Sequence, residues 1–71
     1  MNIENLVDKH GKVPTPTEFG RDGNALSLVS VTASHLRKGS WPADAINQFR
    51  DIALSGDYDN VVQTCTTCFG D

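Results

Sequence analysis

Glycine and proline divide this chain into short segments, and this division limits the possible folds more than any other feature. Gly11, Gly23, Gly39 and Gly56 each follow a run of residues that suits a helix, and glycine is favoured just after a helix ends. Pro14 and Pro16 force the residues before them out of helical geometry, so this stretch is predicted to be an extended connector. With 71 residues in all, we expect residues 1–71 to form one small domain.

Six short helices are predicted from capping residues, helix ends and the spacing of apolar residues. The first four are Ile3–His10, Pro16 to about Arg21, Asn24–Val29 and Thr32–Lys38. The fifth starts within Ser40–Asp44 and ends at Ser55-Gly56, and the sixth is a short helix after Asp57. Residues 24–29 and 61–67 would also suit strands. We favour helix at both places, with residues 65–71 as a frayed tail, and therefore predict an all-α helical bundle.

The strongest helical pattern lies between Trp41 and Gly56. One face of this segment is apolar and the opposite face is polar. The apolar stripe consists of Ala45, Ile46, Phe49, Ile52 and Ala53. One large aromatic side chain can supply much of the buried area in so short a chain, so Trp41 is expected to cover the core.

The order of elements between Ala25 and Ala53 is typical of a helix-turn-helix module. In this interpretation a tight turn at Ser30 separates two short helices, which Val29, Val31 and Leu36 lock together. The second helix would expose Thr32, Ala33, Ser34, Arg37 and Lys38, which are short groups and cations suited to base edges and phosphates. The residues predicted to contact DNA are Thr32, Ser34, His35, Arg37 and Lys38, with Arg50 on the DNA backbone.

In these segments the chain resembles the small Cro-type repressors of lambdoid phages. The resemblance runs over Ile3–Gly11, Val31–Gly39 and Pro42–Ile46. In that family a leading helix precedes a helix-turn-helix, and a proline-led helix follows the recognition helix. The resemblance implies a small transcription regulator that binds duplex DNA. A core this small also suggests a homodimer, whose two reading helices would meet successive major grooves.

The distribution of charge supports an alternative function. The net charge of −3 argues against a protein that coats nucleic acid by charge alone. Residues 32–50 carry three cations and one anion, whereas residues 51–71 carry four anions and no cation. The alternative is a phage-type inhibitor or host-takeover protein that binds a protein such as RNA polymerase or a nuclease. Its predicted contacts are Trp41, Asp51, Asp57, Tyr58 and Asp59.

The sequence contains few residues in patterns typical of metal sites or catalytic sites. Cys65 and Cys68 have the spacing of a zinc pair, but His10 and His35 are 25 residues apart instead of forming a second close pair. We therefore favour two reduced thiols, Cys65 half buried and Cys68 exposed, over a metal site. No pattern of catalytic carboxylates, activated nucleophile or phosphate-binding glycine loop is present, so we expect neither enzyme activity nor a cofactor.

The apolar stretches are too short and too interrupted for a membrane span or a signal peptide. The longest, residues 25–31, contains Ser27 and Ser30. We expect no membrane partner and a cytoplasmic location, in the host cell if a phage encodes the protein.

Overall fold

Four α-helices make up the regular structure of residues 2–70, which are the residues that the computed structural model of this chain describes. They are α1 (Ile3–His10), α2 (Ala25–Lys38), α3 (Ala43–Ala53) and α4 (Tyr58–Thr67). Within residues 2–70 there is no β-strand, and Val13 and Phe69 form one isolated parallel bridge. None of these four helices has both the length and the apolar character needed to cross a membrane. The predicted all-α fold is confirmed, and so are both boundaries of the first predicted helix.

Side-chain caps begin three of the four helices. The side-chain oxygens of Asn2, Asn24 and Asp57 accept hydrogen bonds from first-turn amides of α1, α2 and α4, at 3.0, 2.9 and 3.0 Å. Each bond satisfies an amide that has no partner within its own helix. Before α3, Pro42 makes no side-chain cap, but its fixed φ suits a helix start.

The predicted turn at Ser30 is wrong, because α2 continues without a break from Ala25 to Lys38. The stretch contains neither glycine nor proline, and its buried residues keep helical spacing on both sides of Ser30. These buried residues are Leu28, Val29, Thr32, Ala33 and Leu36. The Thr32 hydroxyl donates a hydrogen bond of 2.8 Å to the Leu28 carbonyl instead of capping a new helix. The two short helices predicted here are therefore one.

The short helix predicted after Thr15 is also wrong, because residues 17–20 form only turns. Thr15-Pro16-Thr17-Glu18 has the sequence pattern of a capping box, which predicts this helix and requires the Glu18 carboxylate to bond back to the Thr15 amide. Instead, Glu18 Oε1 lies 2.8 Å from Nε2 of His35 on α2. Gly20 then takes a left-handed φ of 85°, which stops helical geometry.

The C-terminal segment packs against the rest of the protein instead of fraying. Residues 65–67 belong to α4, and Cys68 and Phe69 are buried. Two backbone hydrogen bonds of 2.9 Å tie Val13 to this segment. The predicted frayed tail is therefore wrong for residues 65–70, as is the predicted exposure of Cys68, while Asp71 lies outside the described residues.

Trp41 closes the core where α1 meets the link between α2 and α3. Its side chain is 4% exposed, and its indole N–H donates a 3.0 Å hydrogen bond to the Gly11 carbonyl. The centroids of the Trp41 and His10 rings are 5.3 Å apart. Leu36 and Phe49 lie deeper and have no exposed surface. The prediction that Trp41 covers the core is confirmed, and its alternative role as a partner contact is wrong because the side chain is buried.

We predict that Trp41→Phe lowers the free energy of unfolding by about 1–3 kcal/mol, because it removes the hydrogen bond to the Gly11 carbonyl and leaves part of the space of the buried indole unfilled. Urea denaturation measures this loss. Tyr58→Phe is the matched control, since Tyr58 is 48% exposed and its loss of a hydroxyl should leave stability nearly unchanged. Equal stability of the Trp41 variant and the parent protein would contradict the role given to this hydrogen bond.

Candidate nucleic-acid interface

A four-residue turn, Gly39–Pro42, joins α2 to α3. The Trp41 amide donates to the Leu36 carbonyl at 3.0 Å, and the Ser40 amide donates to the Arg37 carbonyl at 3.1 Å. Ser40 has a left-handed φ of 71°. Two such hydrogen bonds around a left-handed residue form a Schellman motif, which ends a helix and fixes the direction in which the chain leaves it.

Gly39 serves a different purpose from the one that sequence rules suggest. Its φ is −81°, so the left-handed position at the end of α2 is Ser40 and not the glycine. A Cβ atom at Gly39 would lie 2.5 Å from Val13 Cγ1, which is far inside van der Waals contact. Gly39 is therefore needed for space, because it allows the connector to pass close to the turn.

Four of the six residues predicted to contact DNA are exposed around this turn and on the helix that follows it. They are Ser34, Arg37 and Lys38 on α2 and Arg50 on α3. Arg37 and Lys38 occupy the last turn of α2, where their charge also complements the negative end of the helix dipole. The exposed ends of these side chains can reach a phosphate oxygen.

Thr32 cannot contact DNA, because its relative exposure is 0%. Ala33, expected on the same exposed face, is 2% exposed. Both corrections follow from the unbroken α2, since in one continuous helix Thr32 falls one turn from Leu28 and one turn from Leu36 on the buried face.

His35 is half-buried and makes its contact within the protein. Together with Lys38 and Gly39 it lines one side of an open groove of about 450 Å³, and residues 13–18 line the other. The 2.8 Å contact between His35 and Glu18 joins the two sides. This arrangement holds the connector on α2 and leaves His35 less free to reach DNA than its neighbours.

Apart from Arg50, the polar face of α3 was not among the predicted DNA contacts. Ala43, Asp44 and Asn47 are exposed on its first half, and Gln48 is half-buried beside them. These residues lie opposite the apolar stripe, so the amphipathic pattern of the sequence already contained the signal. The predicted turn at Ser30 placed the proposed reading helix at residues 32–38, so these α3 residues were left out of the predicted DNA contacts.

The acidic residues predicted as partner contacts lie at the other end of α3 and at the start of α4. Asp51, Asp57, Tyr58 and Asp59 are all exposed. Asp57 also has a structural role, because its side chain caps α4. Binding of a protein by these residues stays a prediction.

Cys65 and Cys68 are buried thiols. Cys65 Sγ lies 3.8 Å from the Leu28 carbonyl oxygen, and Cys68 Sγ lies 3.5 Å from that of Thr64. Burial raises the pKa of Cys65, and burial together with the neighbouring Cys65 raises the pKa of Cys68 to about 12. Among residues 2–70, no three His, Cys, Asp or Glu side chains are grouped closely enough to hold a metal ion. The expectation of a half-buried Cys65 is wrong, because its relative exposure is 0%.

Comparison with known proteins does not place this chain in a group. No family model, no curated protein and no solved structure matches it.

We predict that the same substitution has opposite effects at two serines. Ser40→Gly should raise the free energy of unfolding by up to about 1 kcal/mol, because it relieves a left-handed residue. Ser30→Gly should lower it by roughly 0.5 kcal/mol, because Ser30 lies inside a helix, where glycine is disfavoured. Urea denaturation of both variants tests the unbroken α2, and a stabilising Ser30→Gly would favour a turn at Ser30 after all.

The raised pKa of Cys68 predicts a loss of stability at alkaline pH. The folded value of about 12 lies above the ordinary 9.0, so the unfolded chain releases this proton first. The part of the free energy of unfolding that depends on the protonated Cys68 thiol is fully present below about pH 9 and is lost as pH rises toward 12. Unfolding free energies measured across this range should fall less steeply for Cys68→Ala than for the parent protein, and parallel curves would contradict the assignment.

Proposed function

We propose that this protein is a small phage-type transcription regulator that binds duplex DNA with α3 in the major groove. The observation that carries the proposal is the turn at Gly39–Pro42, with the left-handed Ser40 and the buried Trp41. Helix-turn-helix modules join two helices by a turn of about three or four residues that often contains glycine. The second helix of such a module enters the groove, and here that helix is α3.

The exposed side chains around the turn suit the roles that such a complex requires. The Asn47 amide can pair with the edge of adenine, and the Asp44 carboxylate can accept a hydrogen bond from the amino group of cytosine. Arg37 and Lys38, at the end of the helix that crosses the DNA backbone, supply phosphate contacts. Arg50 lies about one turn beyond Asn47 and can contact a phosphate beside the groove.

The balance of charge favours base-specific binding over general attraction to DNA. The chain has a net charge of −3, and Asp44 places a negative charge on the reading helix itself. Affinity for unrelated DNA should therefore be low and should decline as salt rises, with a modest slope set by the phosphate contacts of Arg37, Lys38 and Arg50. The resemblance to Cro-type regulators placed the reading helix at residues 32–38 and the proline-led helix after it, so the choice of α3 depends on the Gly39–Pro42 turn and not on that resemblance. A homodimer on paired half-sites in the cytoplasm remains part of this proposal.

The test is a titration of isotope-labelled protein with mixed-sequence duplex DNA at low salt, followed by backbone amide shifts. We expect shifts from Arg37 through Arg50 that fade as salt is added. Arg37→Ala combined with Lys38→Ala should weaken binding to all sequences and reduce the salt dependence, because two phosphate contacts are lost. Asn47→Ala should instead relax the preference for particular sequences once an operator has been selected.

Lys9→Ala combined with Arg21→Ala is the matched control, since it removes the same number of exposed cations from outside α2 and α3. This variant should bind DNA nearly as well as the parent protein. The absence of amide shifts at low salt, or equal losses in the control and test variants, would reject DNA binding through the α2–α3 turn.

A further inference from the structure

Three large apolar side chains remain exposed, and all of them lie away from the Gly39–Pro42 turn. Among residues 2–70 they are Leu26, Leu54 and Tyr58, which are 63%, 50% and 48% exposed. Leu26 lies in the first turn of α2, about 20 Å along the helix from Lys38. Leu54 directly follows α3, and Tyr58 begins α4. We refer to Leu26, Leu54 and Tyr58 as the apolar end.

Contacts within the protein bring the helix ends that carry these side chains together. A Cβ atom at Gly23, three residues before Leu26, would lie 3.6 Å from the Tyr58 hydroxyl oxygen. The Asn60 amide donates hydrogen bonds of 2.9 and 3.1 Å to the last two carbonyls of α3, which holds the link between Leu54 and Tyr58 in place. These contacts place the start of α2, the end of α3 and the start of α4 at one end of the protein, and the apolar end is carried by these three helix ends.

The charges around the apolar end are mostly negative. The exposed charged residues within five positions of Leu26, Leu54 or Tyr58 in the sequence are four acids, Asp22, Asp51, Asp57 and Asp59, and two cations, Arg21 and Arg50. Asp22 and Asp57 are bonded to the starts of α2 and α4. Within residues 2–70, Asp51 and Asp59 form neither a side-chain hydrogen bond nor an ion pair, so their carboxylates can meet an incoming charge.

We propose that the apolar end is a docking surface for a basic protein segment, namely an amphipathic helix whose apolar face is flanked by lysine or arginine. Its apolar side chains would cover Leu26, Leu54 and Tyr58, and its cations would meet Asp51 and Asp59. Exposed apolar groups with a charged rim are typical of protein-binding surfaces, and tyrosine is enriched among the residues that dominate binding energy. The negative charges of Asp51 and Asp59 favour a positively charged partner over a negatively charged one. This inference goes beyond DNA binding and does not depend on it.

The test uses a short amphipathic helical peptide of leucine and lysine, with a leucine and glutamate peptide of the same pattern as its counterpart. Isotope-labelled protein is titrated with each, without DNA. We expect saturable binding of the lysine peptide, with amide shifts centred on Leu26, Leu54 and Tyr58. Leu54→Ser combined with Tyr58→Ser should weaken binding about tenfold or more, because two central contacts are lost.

Charge variants separate the rim from the rest of the surface. Asp51→Asn combined with Asp59→Asn should weaken binding of the lysine peptide, whereas Glu4→Gln combined with Asp8→Asn, which changes two exposed acids on α1, should not. All four positions are exposed, and urea denaturation verifies that each variant folds. Equal binding of both peptides, or shifts centred elsewhere, would overturn the proposal. Self-association that covers the apolar end without peptide would assign it to a second copy and overturn the proposal as well.

Discussion

The contact that the indole of Trp41 makes with Gly11 is the interaction on which the rest of this structure depends. The indole N–H holds the carbonyl that follows α1, while the backbone amide of the same residue ends α2 on the Leu36 carbonyl. One residue later, Pro42 starts α3. Trp41 therefore sets the positions of three helices at once. Because a chain this short has little apolar surface to bury, the other core contacts cannot easily replace it.

The connector between α1 and α2 depends on contacts that are distant in the sequence. Residues 11–24 contain no helix, and loops of this length usually have few fixed positions. Here Val13 pairs with the C-terminal segment, Glu18 contacts α2, and Phe19 meets Phe69 edge-on with ring centroids 5.0 Å apart. The connector can approach this closely only because the turn after α2 begins with glycine. The irregular connector therefore packs against the turn that joins the two helices of the candidate interface.

The sequence predicts the local features of this fold and misses the distant ones. The bounds of α1, the buried stripe of α3 and the covering role of Trp41 all depend on neighbours within a few residues or on simple burial. Thr32 was misread because a threonine can either cap a new helix or bond to the carbonyl one turn earlier, and short-range patterns do not distinguish the two. Glu18 was misread because its partner is 17 residues away.

The candidate site follows the same division. The exposure of Arg37, Lys38 and Arg50 is predictable because charged side chains are rarely buried wherever a helix begins, whereas proposing α3 as the reading helix requires knowing that α2 is unbroken. The two proposed surfaces share α3, since Asn47 lies on its first half and Asp51 one turn later. A basic partner at the apolar end would neutralise Asp51, whose negative charge otherwise repels the phosphates of bound DNA. Binding of the partner is therefore expected to raise the affinity for DNA. Because coupling free energy is reciprocal, bound DNA should raise the affinity for the partner by the same factor.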